Sequence, residues 1–343
     1  MMVSSLGRET EEMTRNELIG AINSLTEHQL DKLAETVTQY IELNNELSKT
    51  EPESCPVCGS ACGKFIKKGF LRGKQRFACK ECRHKFTYDT RQLTAHSHQP
   101  VESWITLIRD TLKLASLQET AEQLQVSKTT VFYMRHRFLM FLMERPELKG
   151  SLAGIIEADE TYMLESQKGK KVTDRKPRRH GRKASKRGLS NEQLCICVAT
   201  DRDNHIVASC VNRAKPSSEE LQLALSDYIS SGSVILCDGA QAYNDLAAHA
   251  GCDKIELKGH CDYNKVYHLN TVNSSHARFK DMLKQFRGIA SKYLNRYLAL
   301  FVFLFSSTML NLFEKVDYIR RSLSSVRVKI NNSSLASEGL LII

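Results

Sequence analysis

Strand-length apolar runs alternate with helix-length segments between residues 150 and 270, and this alternation constrains the fold more than any other feature of the chain. The strand-like runs are 154–158, 193–200, 205–211 and 233–237, with a weaker one at 254–258. Helices fit 217–230 and 240–250, and residues 273–314 read as helical. Three strands, a helix, a strand, a helix and a strand make an α/β pattern with a mixed sheet. Two of the runs end in an acid. Asp159 closes Gly-Ile-Ile-Glu-Ala-Asp, and Asp238 closes Ser-Val-Ile-Leu-Cys-Asp. Asn273 opens the helical segment that follows.

Taken singly, an aspartate at a strand end is more often a solvated turn or a helix cap. The set of three is more specific, because two carboxylates and an amide are hard oxygen donors that suit Mg²⁺ or Mn²⁺. Two such ions, held by Asp159, Asp238 and Asn273, can activate a nucleophile and stabilise the leaving oxygen of a phosphodiester. Lys280 lies seven residues after Asn273, two helical turns on, and so nearly on the same face, where it can meet a phosphate.

Charge supports a polyanionic partner. The formal net charge is +10, and it is concentrated. Residues 168–187 carry eleven Lys/Arg against the single Asp174, in what reads as a loop between the first two strands. Lys170, Lys171, Arg178, Arg179, Arg182, Lys183, Lys186 and Arg187 are its candidate DNA contacts. Residues 55–91 carry ten Lys/Arg against Glu81 and Asp89. A solvated face is the alternative for either block. The eleven cysteines sit mostly singly in apolar surroundings, apart from one group of four, which is not a disulfide framework. Residues 1–12 have no apolar signal-peptide core, and 297–313 is uncharged but short and interrupted by Ser, Thr and Asn. A buried core helix is the expected reading of that stretch, with no membrane span and a cytoplasmic, nucleoid-associated location.

The group of four is Cys55-Pro-Val-Cys58 and Cys79-Lys-Glu-Cys82, two CxxC knuckles twenty residues apart. Two knuckles make a tetrahedral Cys₄ site for one structural Zn²⁺, and the intervening sequence reads as a β-hairpin, a zinc ribbon in outline. Residues 116–135 have the shape of a helix-turn-helix, with Gln125 and Val126 in the turn and Ser127 as the second N-cap. Lys128, Thr129, Thr130, Tyr133 and Arg137 are then placed to meet a DNA groove. An ordinary helical hairpin fits the same residues, and the neighbouring basic ribbon favours DNA. Residues 14–47 read as acidic helices for packing or self-association, with Thr26 a candidate cap.

The chain also resembles the insertion-sequence transposases of the ISXO-like family, which join an N-terminal zinc ribbon to an RNase H-like catalytic domain. The matching segments are Glu157-Ala-Asp-Glu-Thr-Tyr162, residues 181–190, Leu236-Cys-Asp-Gly239, His268-Leu-Asn-Thr-Val-Asn-Ser-Ser-His-Ala-Arg-Phe-Lys280 and Phe286-Arg-Gly-Ile-Ala-Ser-Lys-Tyr-Leu294. The resemblance implies an RNase H-like mixed-sheet domain over 150–314, preceded by a helical segment (1–49), a zinc ribbon (50–92) and a helix-turn-helix region (93–149), with a tail at 315–343. It implies Asp159, Asp238 and Asn273 as metal ligands, Asn standing where most relatives have Glu. The implied activity is binding of terminal inverted repeats, cleavage at the element's ends and joining of the 3′-OH to target DNA, by a homo-oligomer on DNA. Rival readings are a sequence-specific DNA-binding regulator with a silent catalytic domain and a nuclease acting on RNA–DNA hybrids.

Overall fold

The computed structural model describes residues 15–47, 52, 54–61, 63–71, 73–88, 90, 93–94, 97–144, 150–168, 184–258, 263–306, 315, 318 and 319. The chain begins in two helices, α1 (Arg15–Asn23) and α2 (Glu27–Leu47). Thr26 caps α2 as expected: its N–H donates to Gln29 Oε1 at 2.9 Å, and the Gln29 N–H donates back to Thr26 Oγ1 at 3.4 Å. Leu30, Leu33, Val37 and Ile41 form an exposed apolar stripe along α2.

Strands β1 (Phe65–Leu71), β2 (Lys74–Cys79) and β3 (Lys85–Thr87) form a small antiparallel sheet in the order β1-β2-β3. Its core is its own: Cys55, Phe77, Cys79 and Phe86, with Phe65 packed against them. Helices α3 (Val101–Leu112), α4 (Leu117–Leu124) and α5 (Lys128–Met143) follow. Ser116 caps α4 in a reciprocal box with Glu119. Gln125 closes that helix in the left-handed region at φ 52°, and Ser127 accepts from Thr130 N–H to start α5.

The large sheet has five strands: β4 (Ile155–Leu164), β5 (Gln193–Asp201), β6 (Ile206–Arg213), β7 (Val234–Cys237) and β8 (Asp253–Glu256), in the order β6-β5-β4-β7-β8. β4, β5 and β6 pair antiparallel, whereas β7 pairs parallel with β4 and β8 parallel with β7, so the sheet is mixed, as the element pattern predicts. Alternate residues feed two cores. Ile156, Ala158, Cys195, Cys197, Ile235 and Cys237 face α6 (Ser218–Leu225) and α7 (Ala242–Ala250). Leu194, Ile196, Val198 and Leu236 face the opposite side, where α8 (Asn270–Gln285) and α9 (Leu294–Phe305) lie. Buried residues of α3, α4 and α5 (Trp104, Leu107, Ala121, Phe138, Phe141) belong to that same cluster. The helical region and the sheet therefore share one core.

Three expectations need correction. β4 does not end at Asp159; it runs on to Leu164, because it pairs with β5 along its whole length and Asp159 lies opposite Val198. The C-terminal helix starts at Asn270, three residues earlier than expected, so Asn273 lies inside its first turn and Leu269 takes the N-cap position. Helix is also not continuous over 273–314: α8 ends at Gln285, Arg287 and Gly288 adopt positive φ, and α9 begins at Leu294. α9 is a buried core helix, and no described helix is long and apolar enough to cross a membrane.

Candidate active site

The parallel register of β4 and β7 brings the two aspartates together. Ile155, Ile156 and Glu157 pair with Val234, Ile235 and Leu236. Asp159 follows two residues after the last pair on β4, and Asp238 comes just past the end of β7, near enough for its charge to act on Asp159. Both share parity with Leu236 and so face α8. β7 has already ended at Cys237, so Asp238 sits in the turn. Its Oδ1 accepts from Ala240 N–H at 3.3 Å, and Gly239 follows at φ +93°, where a Cβ would strike the Glu256 side chain.

Glu157 docks α8 against β4. It is almost wholly buried (1% exposed), and its carboxylate accepts the N–H of Thr271 at 2.8 Å, the N–H of Val272 at 2.9 Å and the Thr271 hydroxyl at 2.9 Å. Arg202 donates to the same carboxylate, and His268 Nδ1 lies 3.0 Å from it. A carboxylate on the first-turn amides satisfies donors that a helix start leaves open and complements the positive end of the helix dipole. The register then propagates. Two residues along β4, on the same face, Asp159 Oδ2 stands 3.9 Å from His276 Nδ1. Asn273 falls between these two contacts along α8, with its side chain exposed, and Lys280 follows one turn after His276.

The electrostatics are those of a site short of positive charge. Burial, the adjacent Glu160 carboxylate and Asp238 push the Asp159 carboxyl up to about 7, with Lys280 opposing. Burial, then Lys280, pull the His276 imidazole down to about 4, so it is neutral near pH 7, and its Nε2 is buried with no hydrogen-bond partner. Burial also raises Glu160, which points to the other face of the sheet and accepts from the Tyr243 hydroxyl at 2.9 Å. A carboxyl raised by burial and neighbouring negative charge, as Asp159 is, fits a divalent cation, which removes that penalty. No third His, Cys, Asp or Glu joins Asp159 and Asp238 in a cluster among the described residues.

The four knuckle cysteines also converge. Cys55 Sγ lies 3.6 Å from Cys82 Sγ, Cys58 Sγ lies 3.6 Å from Cys79 Sγ, and all four fall within 4.8 Å of one another. Ligands 2.3 Å from a tetrahedral zinc would stand ~3.8 Å apart, so the set fits Zn²⁺. The Ser60 hydroxyl beside Cys58 lowers its thiol to about 6. A second cluster, Asp201, Asp203 and His205, is a strand turn: Asp201 accepts the N–H groups of Asp203 and His205 and contacts the His205 ring at 2.8 Å.

Of the expected groove contacts, Lys128 and Thr129 are exposed, and Thr130 and Tyr133 are half-buried at the start of α5. Arg137 is placed elsewhere, with its guanidinium 5.4 Å over the Trp104 ring. In the basic segment Lys186 and Arg187 are exposed, whereas Lys170, Lys171, Arg178, Arg179, Arg182 and Lys183 lie outside the described residues. Sequence reasoning missed Glu157 as the helix anchor. The available signal was spacing: Glu157 and Asp159 are two apart on a strand and share a face.

A family model described as the ISXO2-like transposase domain matches residues 151–306, which spans all five strands of the large sheet, α8 and α9. Residues 151–306 are an ISXO2-like transposase domain. An uncharacterized protein in the transposable element ISH50 of Halobacterium salinarum is 28% identical over 256 residues, covering 72% of this chain and 83% of its own. That match also takes in sequence outside the transposase domain. Among solved structures, a pre-cleavage Mos1 transpososome is 14% identical and covers 69% of this chain and 82% of its own at a TM-score of 0.27. The Mos1 mariner paired-end complex with Mn is 13% identical, covering 66% and 87% at 0.28. Likeness at those TM-scores carries no weight for the fold.

Proposed function

We propose that this insertion-sequence transposase binds the inverted repeats at the ends of its element, cleaves there and joins the freed 3′-OH to target DNA, using an RNase H-like catalytic domain. The observation that carries the reading is the nearness of Asp159 and Asp238 beneath α8, inside the transposase domain. Asp159, Asp238 and Asn273 would hold the divalent ions, Mg²⁺ or Mn²⁺. When bound, such ions supply activation of an attacking oxygen and charge stabilisation at the leaving oxygen. Glu157 fixes the height of α8 against β4, His276 crowds Asp159 without adding charge, and exposed Lys280 meets a substrate phosphate. No side-chain nucleophile is required, because water and then the 3′-OH attack phosphorus in turn. Lys128, Thr129, Thr130 and Tyr133 meet the repeat, aided by the zinc ribbon, and the 168–187 segment holds phosphates nonspecifically. The apolar stripe on α2, with its three- and four-residue spacing, suits self-association on DNA, as expected of an enzyme that joins two ends.

The test uses duplexes carrying the inverted repeats that flank the gene, with Mg²⁺ or Mn²⁺. Asp159→Asn and Asp238→Asn should abolish strand cleavage while leaving duplex binding intact. Cleavage at the wild-type rate in either variant refutes the assignment. Binding without cleavage by the wild-type chain would favour the regulator instead.

A further inference from the structure

The segment Phe286-Arg-Gly-Ile-Ala-Ser-Lys-Tyr293 folds back from the end of α8 against α5, and the two enclose a cavity of about 420 Å³. Its walls are aromatic and cationic. Phe132 and Tyr133 come from α5, Phe286 and Tyr293 from the folded-back segment, and Lys168 and Arg135 supply charge. Lys168 is the first residue of the basic segment, and its Nζ donates to Gly288 O at 3.0 Å. His136 also lines the cavity, its ring 4.3 Å from Phe132 and 4.2 Å from Tyr293.

Arg135 decides what such a cavity is for. It is 0% exposed, its guanidinium lies 5.4 Å over the Phe286 ring, and its Nη2 reaches Thr120 Oγ1 at 3.4 Å. Its Nε and Nη1 are buried with no hydrogen-bond partner. Leaving guanidinium donors buried and unsatisfied is costly, so they call for a partner such as an ordered water or an anion. Flat aromatic walls beside a cation match one chemical class: a base to stack and a phosphate to pair. The cavity lies beside the start of α5, where the groove-reading residues are, and about 20 Å along α8 from Asn273, or about six base-pair steps of 3.4 Å.

We propose that this cavity receives one unstacked nucleotide of the bound DNA end, its base against Phe132 and Tyr293 and its phosphate toward Arg135. The proposal rests on the end-binding reading above and adds to it a base taken out of the stack. Holding one nucleotide out of the helix fixes the register of the duplex, so that the scissile bond meets Asp159 and Asp238.

The experiment places 2-aminopurine, one position at a time, along a duplex of the flanking inverted repeat. Emission and anisotropy are read on the same samples with the full-length chain. The expected result is binding at every position and a rise in emission confined to one or two adjacent positions, about six nucleotides from the cleavage point. Phe132→Leu should cut the unstacked fraction about tenfold, the size of one base–aromatic stack, with a smaller change in anisotropy. Arg135→Met, which keeps volume and removes the cation, should reduce it as well. Should either variant fold poorly, the wild-type position scan alone decides. Normal anisotropy with flat emission at all positions overturns the unstacked nucleotide and leaves end-binding standing. Absence of binding overturns both. A rise unchanged in well-folded Phe132→Leu and Arg135→Met places the flipped base elsewhere and also overturns the proposal.

Discussion

Asn273 is the residue on which the chemistry of this site turns most sharply. It lies inside the first turn of α8 and is not the N-cap, a place that belongs to Leu269. Replacing it by alanine therefore costs no cap and slightly improves helix propensity. Asn273→Ala should keep the wild-type melting temperature and lose cleavage. Asn273→Asp, which retains an oxygen donor and adds a charge, should keep part of the activity with a lower Mg²⁺ midpoint. Titrating Mg²⁺ against cleavage in the three proteins checks this, and a wild-type midpoint and rate in Asn273→Ala would remove Asn273 from the ligand set. His136 offers a test free of metal. Burial, then the Arg296 and Arg135 charges, hold its imidazole well below its usual range, so the native chain keeps it neutral while the unfolded chain protonates it near pH 6.5. The unfolded state then binds the extra proton, and stability falls as pH drops below about 6.5, by at most ~1.4 kcal/mol per pH unit. Urea melts at stepped pH should show that contribution together with the like one from His276, and His136→Gln, which retains a polar partner for Arg296, should remove its share and leave that of His276.

At the scale of elements, the contact that matters is Glu157 holding the start of α8. Glu157→Gln would leave Arg202 with a weaker partner and turn an amide N–H toward backbone donors. We expect a loss of about 3 kcal/mol, as for breaking a buried ion pair from one side, read as a lower denaturant midpoint. Cleavage should fall with it, because Asn273, His276 and Lys280 all ride on that helix. Asp159→Asn should do the reverse, abolishing cleavage while leaving stability equal or higher, because it removes a carboxyl whose ionisation burial and Glu160 oppose. This pair of variants separates anchor from ligand. The same region shows what the sequence could disclose. The five strands and α6, α7 and α9 follow from apolar runs and periodicity, and Asp159 and Asp238 from their places in them. The length of β4 was not legible, since the polar Asp159-Glu160-Thr161 interrupts the apolar run and the strand continues to Leu164 because β5 pairs with it. The start of α8 was hidden for a similar reason: its first amides are satisfied by Glu157, more than a hundred residues earlier, rather than by a local cap.

Over the whole molecule, the apolar clusters divide the chain differently from its motifs. The small cysteine-bearing sheet has a core of four buried residues and Phe65, too little to hold three short strands without the four thiolates meeting an ion. Helices α3, α4 and α5, by contrast, share their core with α8, α9 and one face of the large sheet. Two consequences follow for unfolding. Chelation, or Cys82→Ser, should melt the ribbon alone, seen as loss of the smaller of two thermal transitions and of one zinc per chain, and the main transition should stay in place. Removing residues 1–149 should do much more, because it strips Trp104, Phe138 and Phe141 from a cluster that includes Leu300 and Phe301 and leaves that surface open to water. The remaining fragment should aggregate or melt without a cooperative transition, although it contains every proposed metal ligand of the catalytic site. A monomeric fragment 150–343 that melts cooperatively near the main transition would show that the catalytic half stands alone, and that α3, α4 and α5 are attached to it rather than built into it.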